Sequence, residues 1–246
     1  MNEKELNYTF DSIRIVMVNT TEAGNIGAAA RAMKNMALKN LYLVNPNNYP
    51  SAKATARASG ADDVLANAIV CNNLNDALMG CDLIIGASAR QRTIKWQQLD
   101  VKASTKLIKE TVFNKQKVAV VFGRENSGLT NKELDLCQVL MTIPGNKEYF
   151  SLNVASAVQV FAYQNFITFT DNKTLVNNNK NKEIASFSDM ENFYNHLEQT
   201  LININYFDDN KPKEKLMRRL RRLFHRAMIE KDEVAILRGI LKRINI

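Results

Sequence analysis

At 246 residues and 46% apolar content, the chain can fold as one large domain with a small appendage; it holds no bilayer-length apolar run, and its mixed-charge start lacks a secretory core, so a cytoplasmic protein is expected. Three scattered cysteines, Cys71, Cys81 and Cys137, no C-x-x-C, and only two histidines, His196 and His225, argue against a disulfide framework and against a metal centre. The net charge of +8 is confined to residues 211–246, with 12 Lys and Arg against 4 Asp and Glu, while the preceding 210 residues balance at 21 of each; a basic segment on a neutral body points to a polyanion.

Residues 13–18 are apolar and β-branched and predict a first strand. After a loop at 19–25, residues 26–37 place Ile26, Ala30, Met33 and Ala37 at helical spacing. Further strands are predicted at 40–44, 68–71, 82–86, 117–122 and 139–143. Helices are predicted at 52–58, 74–79, 102–113 and 152–169, with a turn or short helix at 62–66. Gly60 would end the 52–58 helix, and Thr130 or Asn131 is placed to cap a helix beyond 118–122. Strands alternating with helices, most of them continuously apolar, imply an α/β fold with a mostly parallel sheet covered on both faces. The polar, Asn-rich stretch 171–183 reads as a linker between a body at 1–170 and a basic helical unit at 184–246. In that unit Phe187, Met190, Phe193, Leu197, Leu201 and Ile204 follow the 3.6-residue period. Leu216, Leu220, Leu223, Phe224 and Ala227 do so again, as do Val234, Leu237, Leu241 and Ile244. Two or three helices are expected, too few for a large core of their own.

No G-x-G-x-x-G follows the first strand, and no P-loop or G-x-S-x-G stretch occurs, which argues against Rossmann dinucleotide binding, P-loop chemistry and serine hydrolysis. Three stretches remain. In 25–31 (Asn-Ile-Gly-Ala-Ala-Ala-Arg), small residues permit close backbone approach and Arg31 sits one to two turns into a helix. In 123–129 (Gly-Arg-Glu-Asn-Ser-Gly-Leu), a strand feeds a tight loop whose Glu125 could accept from a ribose or from backbone amides. In 143–155, a strand ends at Pro144, and Ser151 or Asn153 stands where a helix begins, to cap it or to touch a ligand. A weaker element, 86–90, again ends a buried strand in small residues. Taken singly, a capped helix, a tight turn and an N-cap account for them.

Together and in this order, N-x-G-x-x-x-R at 25–31, F-G-R-E-x-S-G-L at 122–129 and I-P-x-N-x-E-Y-x-S-L-N at 143–153 resemble the three motifs of the SpoU/TrmH family, the SPOUT-class RNA 2′-O-methyltransferases. The resemblance covers about residues 12–170. It implies a deep trefoil knot near the carboxyl end of the sheet, S-adenosyl-L-methionine held in that knot, no metal, and an obligate homodimer. By the same resemblance, Arg31 acts across the dimer interface as base or as electrostatic stabiliser, Ser151 orients the ribose or the arginine, and Asn25 and Glu125 position the loops. Ala87, Ser88, Ala89, Arg90, Gly123, Ile143, Phe150, Ser151, Leu152 and Asn153 would hold the cofactor. Two departures are visible: Phe150 replaces a small residue, and Ala87 stands where Thr is usual.

Stretches at 56–64, 88–93, 216–224 and 237–241 resemble a bacterial branch of the family that methylates nucleotide 32, C or U, in the tRNA anticodon loop. With these the resemblance reaches almost the whole chain. Arg218, Arg219, Arg221, Arg222 and Arg226 leave the Leu216/Leu220/Leu223/Phe224 face free to pack and suit contact with tRNA phosphates. The alternatives are a family enzyme acting on another tRNA or ribosomal RNA site, and an RNA-binding factor that lost catalysis.

Overall fold

Seven strands, β1 (Ile13–Val18), β2 (Asn40–Val44), β3 (Ile69–Cys71), β4 (Leu83–Ala87), β5 (Gln98–Asp100), β6 (Val118–Phe122) and β7 (Val139–Thr142), form one sheet in the order β3-β2-β1-β6-β4-β7-β5. Every pairing is parallel. The structure, a computed structural model, describes residues 9–88, 97–149, 151–171, 183–207 and 212–244.

Strand alternation sends side chains to two faces. Ile13, Ile15, Met17, Val118, Val120, Leu83 and Ile85 enter one core cluster. It is covered by α1 (Ala23–Asn35), α5 (Val101–Phe113) and α7 (Val154–Thr170). Val16, Val18, Ala119, Val121 and Ile84 enter the other, under α4 (Leu74–Leu78) and α6 (Asn131–Leu134). Two short helices, α2 (Ala52–Ala58) and α3 (Asp62–Ala66), flank α1. A Cβ on Gly27 would lie 1.9 Å from the Ala54 carbonyl oxygen, so α1 and α2 meet backbone to backbone only because residue 27 has no side chain.

The predicted order of elements holds, with three differences. β5 was not predicted: it is three residues long, largely exposed, and pairs only with β7 at the sheet edge, too short and polar for a sequence signal. α1 begins at Ala23, where the Glu22 side chain accepts from Gly24 N, so Asn25 lies in its first turn and not in a loop. α7 begins at Val154, with Asn153 and not Ser151 as its cap.

Three helices, α8 (Phe187–Asn203), α9 (Lys213–Ala227) and α10 (Lys231–Ile244), pack around Phe193, Tyr194, Met217, Val234 and Leu241. They seat on the sheet body. Phe187 enters the second core cluster and its N–H donates to Cys81 O at 2.8 Å. Gln116 Nε2 donates to Ile184 O at 2.9 Å, and Arg218 pairs with Asp135. His225 is buried beside Tyr194 and hydrogen-bonds the Cys137 backbone.

Burial, then the Arg221 charge, push His225 down to about 4 from an ordinary 6.5, against the pull of the Cys137 hydrogen bond. The unfolded chain therefore binds a proton near pH 6.5 that the folded chain refuses until about pH 4. The contribution of neutral His225 is complete above pH 6.5 and declines as pH falls toward 4, by about 3 kcal/mol in all. Thermal unfolding at pH 7.5 and 4.5 should show a markedly smaller acid loss in His225→Gln than in the parent chain. Equal losses would remove His225 as the cause.

Candidate functional site

The carboxyl ends of β4, β6 and β7 surround a pocket. Its apolar wall comes from Phe122, Leu129, Met141, Ile143 and Leu152, and its rim from Ser88, residues 123–128 and Ser151. The 123–129 loop closes on itself through Gly128 N to Arg124 O at 2.9 Å and Arg124 N to Gly128 O at 3.2 Å. A Cβ on Gly123 would stand 2.2 Å from Gly128 C and 2.3 Å from Leu129 N, so the loop folds directly over this glycine. Beyond the loop, Thr130 caps α6 in a capping box with Glu133. Glu133 also takes both ends of the Arg124 guanidinium at 3.0 Å each, and Arg124 Nη2 reaches Asn19 Oδ1 at 2.9 Å. Arg124 thus ties the loop to the end of β1.

Glu125 accepts from Thr21 N (3.2 Å), Thr21 Oγ1 (3.1 Å), Glu22 N (3.2 Å) and Asn25 Nδ2 (3.0 Å). Asn25 Oδ1 in turn accepts from Asn153 Nδ2 at 3.0 Å, and Asn153 Oδ1 caps α7 by accepting from Ala155 N and Ser156 N. One chain of hydrogen bonds therefore joins all three sequence motifs, with Glu125 clamped on the amides that open α1. Partial burial pushes the Glu125 carboxyl up, but the Asn25 amide and the backbone N–H donors outweigh it and hold it below its ordinary range. A lowered carboxyl stabilises the fold above its unfolded pKa, ~4.3, and loses that contribution as pH falls through its native value. Glu125→Ala should cost about 1–2 kcal/mol, the exposure of the group keeping the figure low. It should also strip hydrogen-exchange protection from the Thr21 and Glu22 amides. Protection equal to that of the parent chain would show the clamp to be unnecessary.

The expected site residues fall into distinct places. Ala87, Ser88, Gly123, Ile143, Ser151 and Leu152 line the pocket, as does Glu125. Ala89, Arg90 and Phe150 lie outside the described residues. Asn25 and Asn153 instead line an adjoining groove with Gly24, Ala28, Lys53, Arg57 and Gln159. Arg31 is exposed on α1, on the helical stripe of Gly24 and Ala28, and does not line the pocket of its own chain. On α9, Arg218 is committed to Asp135, and Arg221 to Glu191 and the Tyr194 ring. Arg222 Nε donates to Arg218 O, while Arg219 and Arg226 are exposed. Sequence reasoning missed Phe122, Met141 and Val154 as lining residues. The first two are the apolar ends of strands, which carry a core signal and nothing more.

Among the described residues no group of three or more His, Cys, Asp or Glu side chains could hold a metal ion, and no helix is long and apolar enough to cross a membrane.

A parallel sheet with a loop-built pocket beyond β4, β6 and β7 is the arrangement of an RNA methylase fold, and residues 12–163 match the SpoU rRNA Methylase family. The chain belongs to that family. Residues 188–246 match a second family, "tRNA methyltransferase TrmJ, C-terminal domain". Similarity to individual proteins runs through both units. The chain is 46% identical over 239 residues to the tRNA (cytidine/uridine/adenosine-2′-O-)-methyltransferase TrmJ of Pseudomonas aeruginosa (strain UCBPP-PA14), covering 94% of this chain and 93% of that one. It is 46% identical over 236 residues to the tRNA (cytidine/uridine-2′-O-)-methyltransferase TrmJ of Citrobacter koseri, covering 95% and 96%. The crystal structure of TrmJ from Z. mobilis ZM4 superposes with a TM-score of 0.82 at 30% identity, covering 95% of this chain and 99% of that one.

Proposed function

We propose that this chain transfers a methyl group from S-adenosyl-L-methionine to the ribose 2′-hydroxyl of nucleotide 32, C or U, in the anticodon loop of tRNA, acting as a homodimer in the cytoplasm. The observation that carries the reading is the hydrogen-bond chain Glu125–Asn25–Asn153, which assembles all three motifs beside one pocket. The likeness to tRNA 2′-O-methyltransferases over both units supports the choice of substrate. The reading includes a knotted chain. β7 inserted between β4 and β5, which are consecutive in sequence, supports it.

The pocket suits the cofactor. Phe122, Leu129, Met141 and Ile143 offer an apolar slot to an adenine ring, while the backbone of 123–128 and the Ser88 and Ser151 hydroxyls give polar contacts at its rim. When bound, S-adenosylmethionine supplies a methyl group on a positively charged sulfur. The acceptor hydroxyl is a weak acid that must shed its proton as it attacks. Arg31, exposed and absent from the lining of its own pocket, is free to enter that of a second protomer. A guanidinium keeps its proton to above pH ~12, so Arg31 serves there chiefly by stabilising the developing alkoxide. The Ser151 hydroxyl, without a protein partner among the described residues, orients the ribose.

The seam for the second protomer is the outer side of α1 and α7. Val160, Tyr163 and Ile167 of α7 stand 37%, 54% and 42% exposed, an apolar stripe that association would cover, and the same helix lines the groove at Gly24 and Ala28 with Ser156 and Gln159. In the 184–246 unit, Arg219 and Arg226 are the exposed arginines of α9 free to meet phosphate, while Arg218 and Arg221 hold the helix in place through Asp135 and Glu191.

Calorimetry with S-adenosylmethionine, followed by mapping of methylated riboses in tRNA incubated with the protein, tests the reading. Saturable binding and a single new methyl at nucleotide 32 are expected. A folded dimer that binds no cofactor would sink the methyltransferase reading. Methylation elsewhere would reassign the target.

A further inference from the structure

Arg124 lines two spaces. One is the pocket; the other is a cleft of about 490 Å³ at the carboxyl ends of β1 and β2, which shares no other lining residue with the pocket. The wall of the cleft is unusual in kind. Five of its side chains are asparagine amides, with the exposed Lys132, the apolar Leu74 and Leu136, and the Glu133 carboxylate, which is neutralised by its pair with Arg124. Carboxyl ends of parallel strands are where α/β sheets receive ligands.

Two of the amides are fixed by the sheet itself. Val18 of β1 and Val44 of β2 are paired in register, and Asn19 and Asn45 are the residues that follow them. Asn19 N donates to Val44 O at 2.8 Å and Asn45 N to Cys71 O at 3.0 Å, extending the ladder by one step. Both then turn sharply, with φ of 50° and 44°, values that asparagine tolerates better than other side chains. Each amide is anchored by one polar atom: Asn19 Oδ1 accepts from Arg124, and Asn45 Nδ2 donates to Asn72 O at 2.8 Å. The remaining Asn19 Nδ2, a donor, and Asn45 Oδ1, an acceptor, have no protein partner among the described residues. The Asn75 amide and the Lys132 ammonium are likewise unengaged and exposed.

Asn19 and Asn45 follow paired residues on neighbouring strands and offer one free donor and one free acceptor, the two kinds of group that a nucleobase edge presents in alternation. Apolar lining suits the face of an unstacked base, and an exposed ammonium suits its phosphate. We propose that this cleft binds the nucleotide next to the methylated one in the RNA strand, with Asn19 and Asn45 on its base edge and Lys132 on its phosphate. The inference rests on the RNA methyltransfer reading. It makes the cleft a specificity-determining subsite, for the amides carry no charge with which to add non-specific affinity.

Steady-state methyl transfer to tRNA transcripts carrying each of the four bases beside the target nucleotide tests this. The parent chain should prefer one flanking base by about tenfold or more in kcat/KM. Asn19→Asp, which keeps the oxygen that Arg124 uses but removes the free donor, should flatten that preference. Lys132→Ala should raise KM for every transcript by several-fold with kcat retained, and lower the salt slope of tRNA binding by about one. Cofactor binding by calorimetry should be unaltered in both. Indifference of the parent to the flanking base, or unchanged preference, KM and salt slope in active variants, overturns the subsite and leaves the methyltransfer reading intact. A parent chain that binds cofactor and methylates no tRNA overturns both.

Discussion

Arg31→Ala should lower methyl transfer by about 10²–10³-fold while leaving S-adenosylmethionine affinity and thermal stability near those of the parent chain. The side chain is exposed, has no protein partner among the described residues, and does not line its own pocket. Its removal therefore opens no cavity and strands no buried group, and exposed changes of this kind typically stay within about 0.5 kcal/mol. A large kinetic loss without a stability loss isolates the group that acts on the hydroxyl. The expected partnership between protomers adds a sharper arm. Arg31→Ala retains an intact pocket, and a Gly123→Ala chain retains its arginine. Equal mixing with exchange of protomers should restore about a quarter of parental activity, since half the dimers are mixed and each holds one complete site. Normal turnover by Arg31→Ala would take the residue out of the mechanism, and a mixture as dead as its components would place its action within one chain.

Gly123→Ala should abolish cofactor binding, by at least about 100-fold, and cost about 2–3 kcal/mol of stability. The added methyl would meet backbone atoms of Gly128 and Leu129 at 2.2–2.6 Å, and backbone cannot yield as the end of a flexible side chain does. The loop must lift, and with it go the Glu125 clamp on α1 and the wall of the pocket. Gly128→Ala is the control. Residue 128 has φ +67° with open space around a Cβ, so its penalty is conformational, about 1–2 kcal/mol, without a clash. Ordinary cofactor affinity in Gly123→Ala would refute the requirement for close contact at this point. Separate measurements of unfolding and of binding are needed, because the two losses have one cause.

The sheet was legible because burial on both faces leaves nearly unbroken apolar runs such as Val118–Phe122, which few other environments produce. β5 was illegible for the opposite reason: a three-residue edge strand needs no apolar pattern. The start of α1 was missed because Ala23 and Gly24 bear no periodic signal and the capping group is a glutamate, an uncommon choice. Ser151 and Asn153 were equivalent as caps in the sequence; the structure gives the cap to Asn153 and leaves the Ser151 hydroxyl to the pocket. Glu125 was open to ribose or to backbone amides, and its partners turn out to lie about a hundred residues away at the head of α1, a separation no local pattern encodes. The α9 arginines read as one basic face. Which of them meet carboxylates depends on Asp135 and Glu191 from two other parts of the chain.

The seating of α9 bears on how shortened chains should be interpreted. Asp135 and Cys137 stand just ahead of β7, the strand that leads into the pocket, and α9 covers them with Arg218 and His225. Cutting the chain after the sheet body would strip that cover, leave the Asp135 carboxylate without its cation and remove Phe187 from the second core cluster. A shortened chain therefore differs from the parent in folding energy as well as in charge, and a fall in its activity measures two quantities at once. Neutralising Arg219 and Arg226 within the uncut chain separates them, since both side chains are exposed and neither has a partner among the described residues that seats α9 on the sheet body.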